Sequence, residues 1–273
     1  METVIEPRQK LRLDLRELRS YRELFYYFAW RDIKVRYKQT AVGASWAIFQ
    51  PFVTMIVFTV FFHQVGGIES GNDVPYAVFS FTGLLFWQLF SAALSRASNS
   101  LTDNQGVITK IYFPRIIPTV SATIVALVDF FIAFVFLILL LAWYGIMPGL
   151  GGILFFVPAI LITVVSATGV GLLFATLNVK YRDVRQALPF FIQIGLFLTP
   201  VIYPISAVPD RYQWLLYLNP MAGVISALRA WSFDDSGQVQ PWMIGLGLLS
   251  TLVLTVLGLV YFKAKEREFA DYI

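Results

Sequence analysis

The chain contains no cysteine and a single histidine, His63. The first absence excludes a disulfide framework and a thiolate metal site. The second leaves nothing from which to build a multi-histidine metal centre. There is no G-x-x-x-x-G-K-[ST] phosphate loop, no H-E-x-x-H and no G-x-S-x-G, so the common phosphate-binding, zinc-protease and serine-hydrolase machineries are excluded. No catalytic, cofactor-binding or metal site is therefore expected. Charge is also scarce, at 14% of residues. The chain shows no internal sequence repeat, which argues against an inverted-repeat secondary transporter. The N-terminus is charged through Arg31 and lacks a short apolar run ending in a small-residue cleavage site. The first span is thus expected to act as its own insertion signal.

What is abundant is hydrophobicity: 58% of the 273 residues are apolar, far above a soluble domain. The expected fold is an all-α integral membrane protein forming one transmembrane domain. Its parts would be a cytoplasmic N-terminus (1–40), a six-span bundle (41–262) and a charged tail (263–273). A basic, aromatic segment from Arg16 to Lys38 leads into 22 uncharged residues, Ala41 to Phe62. At ~1.5 Å per residue these reach roughly 33 Å, enough for a ~30 Å hydrocarbon core. Within the basic segment Leu18, Tyr21, Leu24, Phe25, Phe28 and Ala29 share one helical side, opposite Arg19, Ser20, Glu23 and Arg31. This predicts an interfacial amphipathic helix, with Tyr26, Tyr27 and Trp30 at headgroup level. Asp32 falls on the apolar side, so the helix is expected to turn or end near Arg31, with IKVRYK as an elbow into the first span.

Further spans are predicted at Pro75 to Leu94, Ile116 to Ala142, Ile153 to Leu177, Leu188 to Ile202 and Met243 to Phe262. The loop after the second carries a short surface helix around Leu101 to Thr109. Between Tyr203 and Trp242 the chain is cut by Pro204, Pro209, Pro220 and Pro241, so no piece reaches span length. Short re-entrant helices on the outer side, one over Met221 to Phe233, are expected there. Of the 21 Lys and Arg residues, 19 fall on one side of this arrangement, and only Arg211 and Arg229 on the other. The positive-inside bias puts both termini in the cytoplasm. Because the basic residues flank spans, the net charge of +4 does not indicate a nucleic-acid partner.

Asp129 is the one acid inside a predicted span. Such a group either serves function or bonds a Ser or Thr on a neighbouring helix. His63, at the outer end of the first span, reads as a satisfied interfacial histidine. Aromatic residues make up 16% of the chain. Trp46, Phe49, Phe52 and Phe58 in the first span, and Phe190, Phe191 and Phe197 in the fifth, are candidates for a translocation path, because sugar rings stack their apolar faces on aromatics. Facing lipid or a neighbouring helix is the alternative for each.

The runs WRDIKVRYKQTAVGASWAIFQP (Trp30 to Pro51), YFPRIIP (Tyr112 to Pro118), NVKYRDVRQ (Asn178 to Gln186), TPVIYP (Thr199 to Pro204) and LNPM (Leu218 to Met221) resemble the permease subunits of type 2 ABC exporters of polysaccharides: O-antigen, capsule and teichoic acid. One departure is AVG at Ala41 to Gly43, where leucine is expected before the glycine. The resemblance implies a subunit of the bacterial inner membrane, working as a homodimer with two copies of a separate nucleotide-binding subunit that holds ATP and Mg. It implies contact with that subunit through the N-terminal helix and the Leu101 to Thr109 loop, with Arg22, Trp30, Asp103, Lys110 and Arg115 as coupling candidates. Spans one and five of both copies would line a channel. The basic rim of Lys34, Arg36, Lys38, Arg182 and Arg185 suits a polyprenyl-diphosphate-linked glycan. Open alternatives are a type 2 permease for a drug or small lipid, an ion-driven oligosaccharide flippase, and a membrane-bound glycan enzyme, for which neither paired carboxylates nor a metal cluster is visible.

Overall fold

The computed structural model describes residues 15–38, 43, 45–71, 74–181, 183–233, 240–266 and 268–269. Among them there is no strand. Helices α1 (Leu15–Ser20) and α2 (Arg22–Lys38) precede α3 (Ser45–Phe58), whose last turns widen into a π-helix, Thr59–Val65. Then come α4 (Tyr76–Asp103), α5 (Gln105–Ile108), α6 (Ile116–Tyr144) and α7 (Leu150–Lys180). After α8 (Asp183–Leu198), a 3-10 turn (Ile205–Ala207) leads to α9 (Asp210–Tyr217), α10 (Pro220–Ser232) and α11 (Pro241–Lys265).

Among the described residues five helices are long and apolar enough to cross a membrane: α3 with its π extension, α4, α6, α7 and α11. The segment expected as the fifth span is the 16-residue α8. At ~1.5 Å per residue it measures about 24 Å, short of a full crossing. Chain irregularity follows at once, because Pro200 and Pro204 stop the helix.

The bundle is organised around α4. In its membrane-length window 83% of residues are buried, against 17% to 33% in the other four. Polar and small residues are what let it sit inside. Within a bilayer helices associate through close packing and hydrogen bonds rather than through burial of grease. Ser100 of α4 bonds Thr119 of α6 at 2.8 Å, and Asn178 of α7 donates to the Ser98 carbonyl of α4 at 3.1 Å. Helix α7 meets α11 through small residues: Ser166 and Thr251 bond at 3.0 Å, and the glycines Gly169 and Gly258 lie backbone to backbone. Gly145, at φ 66, caps α6 in the left-handed conformation and starts the tight turn into α7.

The amphipathic reading of α2 is met in its apolar face. Phe28 and Ala29 are buried, and Leu18, Tyr21, Leu24 and Phe25 pack on the same cluster, while Tyr26, Tyr27 and Trp30 are exposed. Its expected end at Arg31 is corrected: the helix runs on through Lys38, so IKVRYK is helical and not an elbow. The reason is local, since Arg31 folds onto Asp32 at 2.7 Å and neutralises the acid that was to break the amphipathic face. The second predicted span is likewise too short, because α4 continues nine residues past Leu94. The loop helix expected over Leu101 to Thr109 is split between the end of α4 and α5 by Asn104, whose side chain accepts from Arg31 at 2.6 Å.

At one end of the bundle a second cluster joins α2, the α4–α6 connection, the end of α7 and the end of α11. There Phe28 lies 5.8 Å from Phe113, and Phe262 lies 5.3 Å from Phe269. The Arg115 amide donates to Glu266 Oε1 at 3.2 Å, and its guanidinium donates to the Glu266 carbonyl.

Candidate functional site

A cavity of about 500 Å³ opens between α3, α4, α6 and α8. It is unusual in this apolar chain because charge lines it: Arg36 from the end of α2, Arg96 from α4 and Asp129 from α6. Gln50, Gln88 and Ser95 add neutral polar groups. Each residue is placed by helical periodicity. On α4, Gln88, Ala92, Ser95 and Arg96 follow one another at three- and four-residue spacing on the cavity side.

Asp129 is the electrostatic centre. Its carboxylate accepts from Arg36 Nε at 2.9 Å and from Arg36 Nη2 at 2.7 Å, a two-point pairing that fixes the fork of the guanidinium. The Tyr37 hydroxyl donates to it as well. Burial, and then that bond to Asp129, pushes the Tyr37 hydroxyl pKa up to about 12. Among the described residues its partners are thus Arg36 and Tyr37 of α2, and not the Ser or Thr that was one of the two alternatives. Its partners come from a segment 93 residues away in sequence. Arg96 lies beyond Leu94, where hydropathy predicts the second span to end, yet it is within α4. A longer helix would have exposed the polar stripe on which it stands.

The predicted path residues divide into two groups. Trp46 and Phe49, 53% and 51% exposed, meet edge to face at 5.3 Å beside the cavity mouth. Phe190, Phe191 and Phe197 are exposed along α8, where Leu188 alone is buried. By contrast Phe52 packs on Phe136 of α6 at 5.3 Å, and Phe58 is 7% exposed within the core. Helix α8 crosses α4 closely at Gly195, where a Cβ would come 2.8 Å from the Trp87 ring. The cavity thus lies between two sparsely covered helices, α3 and α8.

The predicted basic rim is dispersed. Arg36 turns inward to Asp129, Lys34 sits 5.3 Å over the Trp30 ring, Lys38 is exposed, and Arg185 pairs with Asp103 at 3.3 Å. Arg182 lies outside the described residues. Of the coupling candidates, Arg22, Trp30 and Lys110 are exposed, Asp103 is held by Arg185, and Arg115 is engaged with Glu266. Tyr27, Trp30, Arg31 and Lys34 border a shallow hollow of about 330 Å³ on the outward face of α2. His63 stacks on Tyr76 at 5.1 Å with Nδ1 2.9 Å from the Ile68 carbonyl, an ordinary satisfied histidine.

Residues 23–233 match the model of the ABC-2 type transporter family. The chain belongs to that family. Among curated proteins this ABC-2 transporter chain is 28% identical over 244 residues to an O-antigen export system permease protein of Klebsiella pneumoniae, covering 89% of this chain and 92% of the relative. It is 27% identical over 263 residues to a protein of the same description from Myxococcus xanthus, covering 95% and 98%. A polysialic acid transport protein of Escherichia coli is 23% identical over 245 residues, covering 87% and 91%. The matched region of the ABC-2 chain takes in α3, α4, α6 and α8, and hence every helix that walls the cavity.

Proposed function

We propose that this chain is the transmembrane subunit of an ATP-driven exporter that carries a lipid-linked polysaccharide out of the cytoplasm across the inner membrane. The observation that carries the reading is the pairing of an arginine-bearing cavity with exposed aromatics on α3 and α8, in a chain whose full-length relatives are described as polysaccharide and O-antigen exporters. These two sparsely covered helices, beside a polar cavity, are suited to form one half of a channel wall that a second copy completes. Trp46, Phe49 and the α8 phenylalanines offer flat faces to pyranose rings. Phe52 and Phe58 serve packing instead.

The subunit works with separate nucleotide-binding subunits, which supply ATP and Mg. The absence of a phosphate loop in the sequence supports this division. The exposed face of α2, bearing Arg22 and Trp30, and the loop bearing Lys110 are the contacts proposed for that partner. Six crossings, with both ends cytoplasmic, fit two observations. Nineteen of 21 basic residues lie on one side of that topology, and the end of α11 packs with α2 at one end of the bundle. The sixth crossing is made by the short α8 together with the segment up to α10, whose C-terminal Ser232 carbonyl accepts from Gly149 at the α6–α7 turn. Helices α9 and α10 then form the re-entrant pair.

Depleting the chain in its host tests the reading. Surface polysaccharide is expected to fall while lipid-linked glycan accumulates inside. Normal surface polysaccharide without the protein contradicts it.

A further inference from the structure

The cavity holds two arginines and one acid, yet its charges are not all matched. Asp129 is fully engaged by Arg36 and Tyr37. Arg96 is half-buried in the same cavity, and among the described residues no hydrogen bond or ion pair to it is found. A guanidinium carries five donors and no acceptor, and the carboxylates of Asp129 and Asp32 act on Arg96 only through space, being bonded to Arg36 and Arg31, so its donors lack an acceptor. The lining is amphiphilic: Gln50, Gln88 and Ser95 supply polar groups and Trp46, Leu89 and Ile192 apolar ones, and α3 and α8, which bring Trp46 and Ile192, are sparsely covered.

We propose that this cavity binds the phosphate head of an amphiphile, with Arg96 as its resident ligand and Asp129 as a built-in competing anion that holds Arg36 in reserve. On arrival the phosphate oxygens take the Arg96 fork and compete with Asp129 for Arg36, which adds a second guanidinium. When Arg36 leaves, the hydrogen-bonded link from the end of α2 to Asp129 of α6 is reduced to the Tyr37 hydroxyl. Since the other face of α2 presents Tyr27, Trp30 and Lys34 outward, loading of the cavity is communicated to the surface where the nucleotide-binding partner is placed. This deepens the exporter reading and rests on it for the identity of the amphiphile, a polyprenyl diphosphate.

The test uses the full chain, purified with its nucleotide-binding subunit and embedded in phosphatidylcholine nanodiscs. Three probes are titrated: undecaprenyl diphosphate, undecaprenol and inorganic pyrophosphate. Arg96→Gln is expected to weaken undecaprenyl diphosphate binding at least about tenfold, the scale of one lost charged hydrogen bond or more, and to leave undecaprenol unaffected. Asp129→Asn keeps the size of the side chain and is expected to tighten the diphosphate probe, because Arg36 is no longer held. Unchanged binding in Arg96→Gln overturns the site, and weaker binding in Asp129→Asn overturns the role of competitor. Pyrophosphate binding as tightly as the lipid assigns the cavity to a free anion and overturns the amphiphile. Export by the same strains separates the two levels: normal wild-type export with Arg96-independent binding removes only this inference, whereas surface polysaccharide that survives depletion removes the exporter reading.

Discussion

Arg229→Met is expected to reduce sharply the amount of folded protein in the membrane. Arg229 is 6% exposed on α10, and among the described residues it forms no salt bridge. It donates instead to three backbone carbonyls: Pro200 at 2.5 Å, Phe79 at 2.7 Å and Val201 at 2.8 Å. The segment after α8 is non-helical and buried, so its carbonyls have no ladder to satisfy them. Irregular backbone in an apolar bundle survives only where protein groups supply the missing partners. Arg229 does so for Pro200 and Val201, and the Tyr76 hydroxyl does so for Ile202 at 2.6 Å. Gly83 has no side chain because the guanidinium fills the space a Cβ would need. Each orphaned carbonyl costs about 1–3 kcal/mol, so leaving Pro200 and Val201 without a donor removes a large part of the roughly 5–15 kcal/mol that holds a typical fold. Thermal unfolding in detergent and membrane yield measure it. Arg229→Lys, with one compact ammonium for three acceptors, is expected to be intermediate. Wild-type melting of Arg229→Met shows the staple to be dispensable.

Gly258→Val is expected to separate α11 from α7. A Cβ at Gly258 falls onto the carbonyl oxygen of Gly169, and one at Gly169 comes 2.5 Å from the Thr255 Cα. Both obstacles are backbone, so no rotamer change relieves them. Overpacking where side chains can adjust costs about 1–3 kcal/mol, and here whole helices must part, breaking the Ser166–Thr251 bond as well. The expected result is loss of the monodisperse species on size-exclusion chromatography and proteolysis in the cell. Val260→Leu, on the half-exposed face of α11, is the control and stays stable. A stable Gly258→Val protein contradicts the close crossing.

How far the sequence alone reaches is set by the range of the interactions. The apolar face shared by α1 and α2 is legible because Leu18, Tyr21, Leu24, Phe25 and Phe28 obey one local period, and the structure buries or half-buries each of them, although the helix breaks at Tyr21. Hydropathy likewise locates the long spans. The end of α4 is not legible, since Ser95 to Asp103 is polar yet sits in a helix that neighbours α6 and α7 satisfy. That error hid Arg96. Asp129 stands out in sequence as the one acid in an apolar run, but its partner Arg36 lies beyond Asp32, where the local pattern predicts the end of α2 and Arg31 instead neutralises the acid. Arg229 was counted as one of two basic residues on the outer side, and its role is invisible in sequence because Phe79, Pro200 and Val201 meet it only through tertiary folding. Phe52 and Phe58 show the same limit, for aromatic spacing cannot separate a wall from a core.

The central claim is that the aromatic surface of α3 and α8 carries a glycan, and export by an aromatic-to-leucine triple variant tests it most directly. Trp46, Phe49 and Phe197 are half-exposed, so changing all three to Leu keeps the surface apolar while removing flat faces. If each ring contributes about 0.5 kcal/mol, at the low end for aromatic stacking, export falls about tenfold and the internal lipid-linked pool rises. The matched control changes Phe131, Trp143 and Trp242, which are equally or more exposed and lie away from the cavity lining, and it exports normally. Normal surface polysaccharide in the Trp46, Phe49 and Phe197 variant, at wild-type protein level, contradicts the claim.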